Sequence, residues 1–437
     1  MYFISSVGIT GFWGDSEAHV NLNRDTSIFI GPNGTGKTTF IEILRATLTV
    51  DLAELVHLEF EETTIVLRSD KGQSRTLRIK KGSLEHRFVP FEFQISKKKF
   101  KVKWISSQDH DRFPRSYLHR FEYAADEVKS EIAKLIQVSS LSVYRAESDR
   151  VYTRDAEYSI PSQKSSVDVA LRQRMQRFKN YRMRIFEKQS EIQRNLRQNV
   201  LLSLIDSDIQ DSYQLDTFEL NEDRELERIT SAYRRLGIPQ GKVKARAKKY
   251  MRSVTKKLKE ISGFLEEARN DLSSKQLEDF PKVVSEFIGE RFRIIQDVTQ
   301  RSLDSDQEIQ LLYEPLERYE ETVNQFLLDK QIKIQDSELI IESTSGKKNI
   351  DPMLLSSGEK QLLILLTEAF LQDKIPCAFI TDEPELSLHI SWQRELLSSV
   401  QNLNPNAQII VATHSPEIAS GYQDKLFDMR EVINVEA

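Results

Sequence analysis

Apolar residues alternate with polar ones, or cluster in short runs, over most of the first hundred positions. Tyr2 to Ile9 reads as a strand. Ser27-Ile28-Phe29-Ile30 is an apolar run ending at a glycine, the pattern of a buried parallel strand. From Lys37 to Leu48 the period changes, with Phe40, Ile43, Leu44 and Leu48 at helical spacing. Ile65 to Arg68, Leu77 to Lys80, Phe91 to Ile95 and Lys101 to Trp104 again alternate or carry β-formers. Turn signals stand at Lys71-Gly72 and Lys81-Gly82. These segments predict an antiparallel lobe around one helix, and Tyr117 to Gln137 predicts another helix.

A polar linker follows at Pro161 to Ser166, and Asp168 to about Leu328 is helical in pattern throughout. Leu171, Met175, Phe178, Ile185 and Ile192 recur there at near-heptad spacing. Strands resume over Gln331 to Glu342, with a turn at Ser345-Gly346-Lys347. Gln361 to Leu371 is apolar on nearly every side, as a buried helix is. Cys377 to Ile380 and Gln408 to Ala412 read as further buried strands. The expected organisation is an α/β head in two halves, 1–160 and 331–437, interrupted by an all-helical, coiled-coil-like insertion at 161–330.

The length of 437 residues allows two or three domains and a large core. A net charge of −5 carries no global signature of nucleic-acid binding. With one cysteine, Cys377, no internal disulfide can form, which suits the cytoplasm. Met1 opens a strand-like pattern rather than a signal peptide, and the apolar run at Leu362 to Leu366 is far too short to span a membrane. Arg172, Arg174, Arg177, Arg182 and Arg184 punctuate the first helical stretch, and a second basic run spans Lys242 to Lys259. Both suit either a phosphate-binding surface or the solvated face of an antiparallel coiled coil.

The chemistry is concentrated in four short motifs. Gly31-Pro32-Asn33-Gly34-Thr35-Gly36-Lys37-Thr38-Thr39 lies between a strand and a helix, the context that a P-loop requires. Backbone N–H groups of Asn33 to Thr39 would face phosphate oxygens, Lys37 would reach the β and γ phosphates of ATP, and Thr38 would ligate Mg²⁺. Asp382, at the end of an apolar strand, is a second candidate for the magnesium. Glu383 is placed to orient or deprotonate water. Ser356, Ser357, Gly358 and Glu359 open the buried helix and form a second phosphate-binding surface, or a capping box. His414 follows a buried strand, at the position that faces the ligand crevice of an open α/β sheet.

Together these motifs resemble the ATP-binding-cassette ATPases of the overcoming-lysogenization-defect group, related to RecF and the structural-maintenance-of-chromosomes heads. The likeness rests on Ile380 to His389 with Trp392-Gln393, on Gln408 to Ile418, and on Gly11-Phe12-Trp13-Gly14 before the P-loop. It implies a two-lobed head dimerising around ATP, with Lys37, Thr38 and Asp382 on ATP–Mg²⁺ and Glu383 as catalytic carboxylate. Ser356 and Gly358 would reach across the dimer, and His414 would act as a switch. Glu147 is the candidate for the magnesium ligand that such heads carry after the first lobe.

Many relatives continue into a nuclease domain, and the stretch from His414 to Ala437 is expected to be too short to hold one. Size and layout resemble the ATPase subunit of PARIS anti-phage systems. That resemblance implies further assembly, a separately encoded effector such as a nuclease, and a phage trigger protein. The alternative is a RecF-like repair ATPase that clamps DNA.

Overall fold

The computed structural model describes residues 2–105, 115–141, 165–202, 222–268, 290–335, 338–346 and 349–435. Fourteen strands occur among them: β1 Tyr2–Phe12, β2 Ser16–Asn21, β3 Thr26–Ile30, β4 Glu62–Ser69, β5 Ser74–Lys81, β6 Phe88–Ile95, β7 Lys98–Ile105, β8 Gln137–Leu141, β9 Lys330–Gln335, β10 Glu338–Ser343, β11 Cys377–Asp382, β12 Gln408–Ala412, β13 Leu426–Asp428 and β14 Ile433–Val435. The chain divides into two compact units, Met1–Arg182 with Pro315–Ala437, and Met183–Glu314.

The first unit holds the expected α/β head. Seven strands in the order β14-β2-β1-β4-β5-β6-β7 form an antiparallel sheet. Along β6, and along β4 as far as Leu67, every second residue is buried, the period of a sheet with one face on a core. A second sheet has the order β13-β3-β12-β11-β8, with all pairings parallel. Here β12 is buried at every position and β11 at all but its last, as strands covered on both faces must be. One core joins the sheets, with Ile4, Phe91 and Phe93 in the same cluster as Phe29, Ile380 and Ile410.

The helix expected to reach Gln137 covers Arg115–Ala133, and the chain then enters β8 beside β11. A short helix at Leu52–His57 and the closing strands β13 and β14 were not foreseen.

The long helix Ser166–Leu202 begins in this unit. Leu171 and Phe178 are buried as their spacing predicts, but so are Arg174 and Arg182, which corrects the reading of this basic run as a wholly solvated face. Arg177 Nη1 donates to Glu368 Oε2 at 2.7 Å, and Arg174 Nε lies 3.3 Å from the same oxygen. Glu368 belongs to the helix Ser357–Leu371 and also accepts from Ser139 Oγ in β8. Lys360 pairs with Asp168, and the Tyr181 hydroxyl bonds Asp373. Phe178, Tyr181 and Tyr319 pack around Phe370, and the buried Tyr319 hydroxyl meets Thr367 Oγ1 at 2.7 Å. Thus both polar and aromatic groups lash the start of the long helix to Ser357–Leu371.

The second unit is helical wherever it is described. Glu222–Arg235 and Gln240–Ala268 form a hairpin around Ile229, Val243, Ala247 and Met251. Gly237, at φ 88°, makes the left-handed turn that ends the first helix. Among the described residues no helix is long and apolar enough to cross a membrane.

Candidate nucleotide site

Parallel register places three motifs at one sheet edge. Phe29 in β3 is level with Ala412 in β12, and Ala412 is level with Asp382 in β11. The P-loop, Asp382-Glu383 and Thr413-His414 therefore leave the sheet side by side at its carboxyl end, where open α/β sheets bind ligands.

The P-loop enters the helix Lys37–Thr49 through Gly36, an N-cap in the left-handed region at φ 86° without a side-chain cap. A Cβ on Gly36 would stand 2.9 Å from Phe12 Cε1 and 3.0 Å from Trp13 Cη2, so only glycine fits both the turn and the space. The first-turn N–H groups have no intrahelical acceptors and present a partial positive charge, as an anion site requires. Asn33, Gly34 and Thr38 are exposed, Thr35 and Thr39 are half-buried, and Lys37 is 4% exposed. Lys37 Nζ donates to the carbonyls of Gly31 at 2.8 Å and Pro32 at 3.1 Å. Burial pushes its pKa down, against the upward pull of the Glu383, Asp382, Asp428 and Glu385 carboxylates.

Burial pushes the Asp382 carboxyl up to about 6, opposed by a hydrogen bond from Thr38. Its Oδ1 is buried without a hydrogen-bond partner. A cation beside Thr38 and Asp382 would answer both features, so this pair fits a magnesium ion held mainly by phosphates and water. Among the described residues no group of three or more His, Cys, Asp or Glu is arranged to hold a metal. Glu147 lies outside the described residues.

Glu383 adopts φ 45°, unusual for a non-glycine residue, and its N–H donates to the Ala412 carbonyl at 2.8 Å. That conformation swings its side chain off the strand path, and Oε1 lies 3.6 Å from His414 Nε2. Both side chains are about one-third exposed. The site thus pairs a partly solvated carboxylate with an imidazole beside a buried lysine.

Within one chain, Ser356, Ser357, Gly358 and Glu359 occupy a different element. The capping box is formed: Ser356 Oγ accepts from the Glu359 N–H, and Glu359 Oε2 accepts from the Ser356 N–H at 2.9 Å. Glu359 Oε1 accepts from Lys330 Nζ at 2.6 Å. Gly358 and Glu359 are buried, whereas Ser356 and Ser357 are exposed.

Two residues that the sequence reading passed over belong to this edge. Asp428, in β13 level with Ile30, borders the P-loop and is held at about 2 by Arg430. Glu385 bonds the loop that carries His414. Only its place within Asp382-Glu383-Pro384-Glu385 hinted at Glu385, and nothing local marked Asp428.

Among solved structures, the chain is similar to the Smc head domain with an extended coiled coil, bound to the C-terminal domain of ScpA, from Pyrococcus furiosus. Identity is 14% and the TM-score 0.40, with 96% of this chain and 92% of that one covered. For the Smc head domain with a coiled coil and joint from Pyrococcus yayanosii, identity is 15%, the TM-score 0.37, and coverage 96% and 93%. For the Smc head bound to the C-winged helix domain of ScpA, the values are 11%, 0.38, and 95% and 90%. No curated protein matches the chain. The model of the AAA ATPase domain family matches residues 1–419, a span that includes every motif at the sheet edge. The chain belongs to the AAA ATPase domain family and is an ATPase.

Proposed function

We propose that this ATPase is a slow, ATP-driven switch that assembles as a homodimer or higher oligomer and gates a separately encoded effector, a nuclease, in bacterial anti-phage defence. The observation that carries the switch reading is the Glu383–His414 pair, held beside Lys37 at the carboxyl edge of the parallel sheet. The defence setting rests on the family resemblance of the motifs.

In this reading Lys37 exchanges its loop carbonyls for the β and γ phosphates of ATP. Thr38 and Asp382 would hold Mg²⁺, which would offset phosphate charge. Glu383 orients the attacking water, and His414 donates to the γ-phosphate. The exposed Ser357, at the N-terminus of a 15-residue helix, offers a hydroxyl and a helix dipole to the nucleotide of a second protomer. ATP at such an interface shifts the balance between separate and joined subunits, so binding does more than turnover.

Glu383→Gln tests the switch. The variant should bind ATP, turn over at least about 100-fold more slowly, and accumulate as an ATP-dependent assembly in light scattering. Wild-type turnover, or an unchanged mass with ATP, would overturn the reading. A metal-dependent nuclease encoded beside this gene would support the effector role, whereas replication genes would favour DNA repair.

A second reading, nucleic-acid clamping, draws on the helix Gln240–Ala268. From Lys242 to Lys259 it carries nine lysines and arginines and no acidic residue, and all nine are exposed. Its apolar side is satisfied within the hairpin, which leaves a continuous basic surface. Duplex DNA should then bind with steep salt dependence. Binding that survives charge reversal at Lys248, Lys249, Arg252 and Lys256 would dismiss this surface.

A further inference from the structure

The reaction outlined above gives no part to Glu385, a buried acid at the nucleotide edge. Glu385 is 9% exposed, and its Oε1 accepts three hydrogen bonds from the loop after β12. The donors are Thr413 Oγ1, the His414 N–H at 2.8 Å and the Ser415 N–H at 3.0 Å. Its Oε2 is buried with no hydrogen-bond partner.

Burying a carboxylate is costly unless specific bonds repay it, so a half-satisfied one calls for a reason. The reason lies in what its neighbours lack. The loop makes its last sheet bond at Thr413, whose N–H donates to the Phe29 carbonyl at 3.1 Å. Ser415 Oγ caps the next helix and donates to Gln393. Between these anchors, the His414 backbone is held by Glu385.

Glu383 and Glu385 share one turn, while His414 comes from another strand. Three hydrogen bonds to one oxygen tie the His414 backbone to the Glu383 turn, beyond the bond from the Glu383 N–H to the Ala412 carbonyl that precedes the loop. We propose that Glu385 is a positioning residue for ATP hydrolysis, which sets the His414 imidazole opposite Glu383. The inference rests on the catalytic reading of Glu383 and His414.

A double-mutant cycle on the full chain, with steady-state ATP turnover as the readout, tests it. Glu385→Ala should lower kcat by about 10- to 100-fold, as misplacement of a catalytic group does, with KM for ATP within about twofold. Added to His414→Ala it should slow the enzyme little further, because both changes remove the same interaction. Glu385→Gln keeps an oxygen for the same three donors and should recover most of the rate. Losses that multiply in the double variant, or a wild-type kcat in Glu385→Ala, would overturn the assignment. A wild-type rate in His414→Ala would sink both this inference and the reading beneath it, whereas multiplying losses with an impaired His414→Ala sink this one alone. If Glu385→Ala does not fold, Glu385→Asp against Glu385→Gln decides. The shortened acid should be the slower if reach matters, and the reverse order overturns the proposal.

Discussion

Gly358 rests directly against the backbone of Ser387: a Cβ on the glycine would stand 2.3 Å from the Ser387 carbonyl oxygen. Ser387 itself adopts φ 67°. The turn after Asp382-Glu383 is therefore wedged against the N-terminus of the helix Ser357–Leu371, and Gln361 Nε2 adds a bond to the Pro384 carbonyl at 3.0 Å. Gly358→Ala cannot be relieved by a side-chain rotation, since the obstacle is backbone. It should destabilise the fold by about 1 to 3 kcal/mol, read as a lower midpoint in chemical denaturation. Unchanged stability would refute this close backbone contact.

Asp382 gives the protein a pH dependence of definite sign. Its carboxyl is pushed up to about 6 from an ordinary value of 3.8. A folded-state pKa above the unfolded one means that the fold penalises the charged form. The penalty is absent below the unfolded value, grows between about 4 and 6, and is complete above that. It amounts to at most ~3 kcal/mol. Asp382→Asn without nucleotide should therefore be more stable than the wild type at pH 7.5, and the gap should close by pH 4. Urea melts of both proteins across this range measure it, and a constant gap would refute the account. A chelator should abolish turnover in the wild type.

Lys37 is held by carbonyls of its own loop, so it is both a structural donor and the candidate phosphate contact. Lys37→Ala should weaken ATP binding about 100-fold, in line with loss of two charged hydrogen bonds. Calorimetry would register this directly, and wild-type affinity would move the phosphate site elsewhere.

The Glu368 network should matter to stability more than its surface neighbours do. Removing the acid takes away the acceptor that Arg174, Arg177, Ser139 and Gln372 share, so Glu368→Ala should cost about 3 to 5 kcal/mol. Replacing both ends, as Arg174→Leu with Glu368→Met, should recover much of that loss. Equal damage from the single and the double variant would show that the two side chains do not act as a pair.

Several features of this molecule were legible because they are local. A strand, a glycine turn and a helix must follow one another for the P-loop to work, and all three are written in consecutive residues from Ser27 to Leu48. The buried strands β11 and β12 announced themselves as unbroken apolar runs, and the basic stretch from Lys242 to Lys259 as charge without acid. Chain order alone also put the acidic, serine-glycine and histidine motifs on separate elements.

Tertiary structure decided the relationships between distant positions. Arg174 reads as a solvent-facing cation until Glu368, nearly two hundred residues away, is placed beside it. Asp428 reaches the P-loop only because β13 adds to the sheet next to β3. The register Phe29–Ala412–Asp382 aligns three strands that the sequence shows only as three apolar runs. Periodicity reports which face of a segment is buried, because burial is a property of each element's own side chains. Which partner covers that face, and which charge meets which, depends on packing among all of them at once.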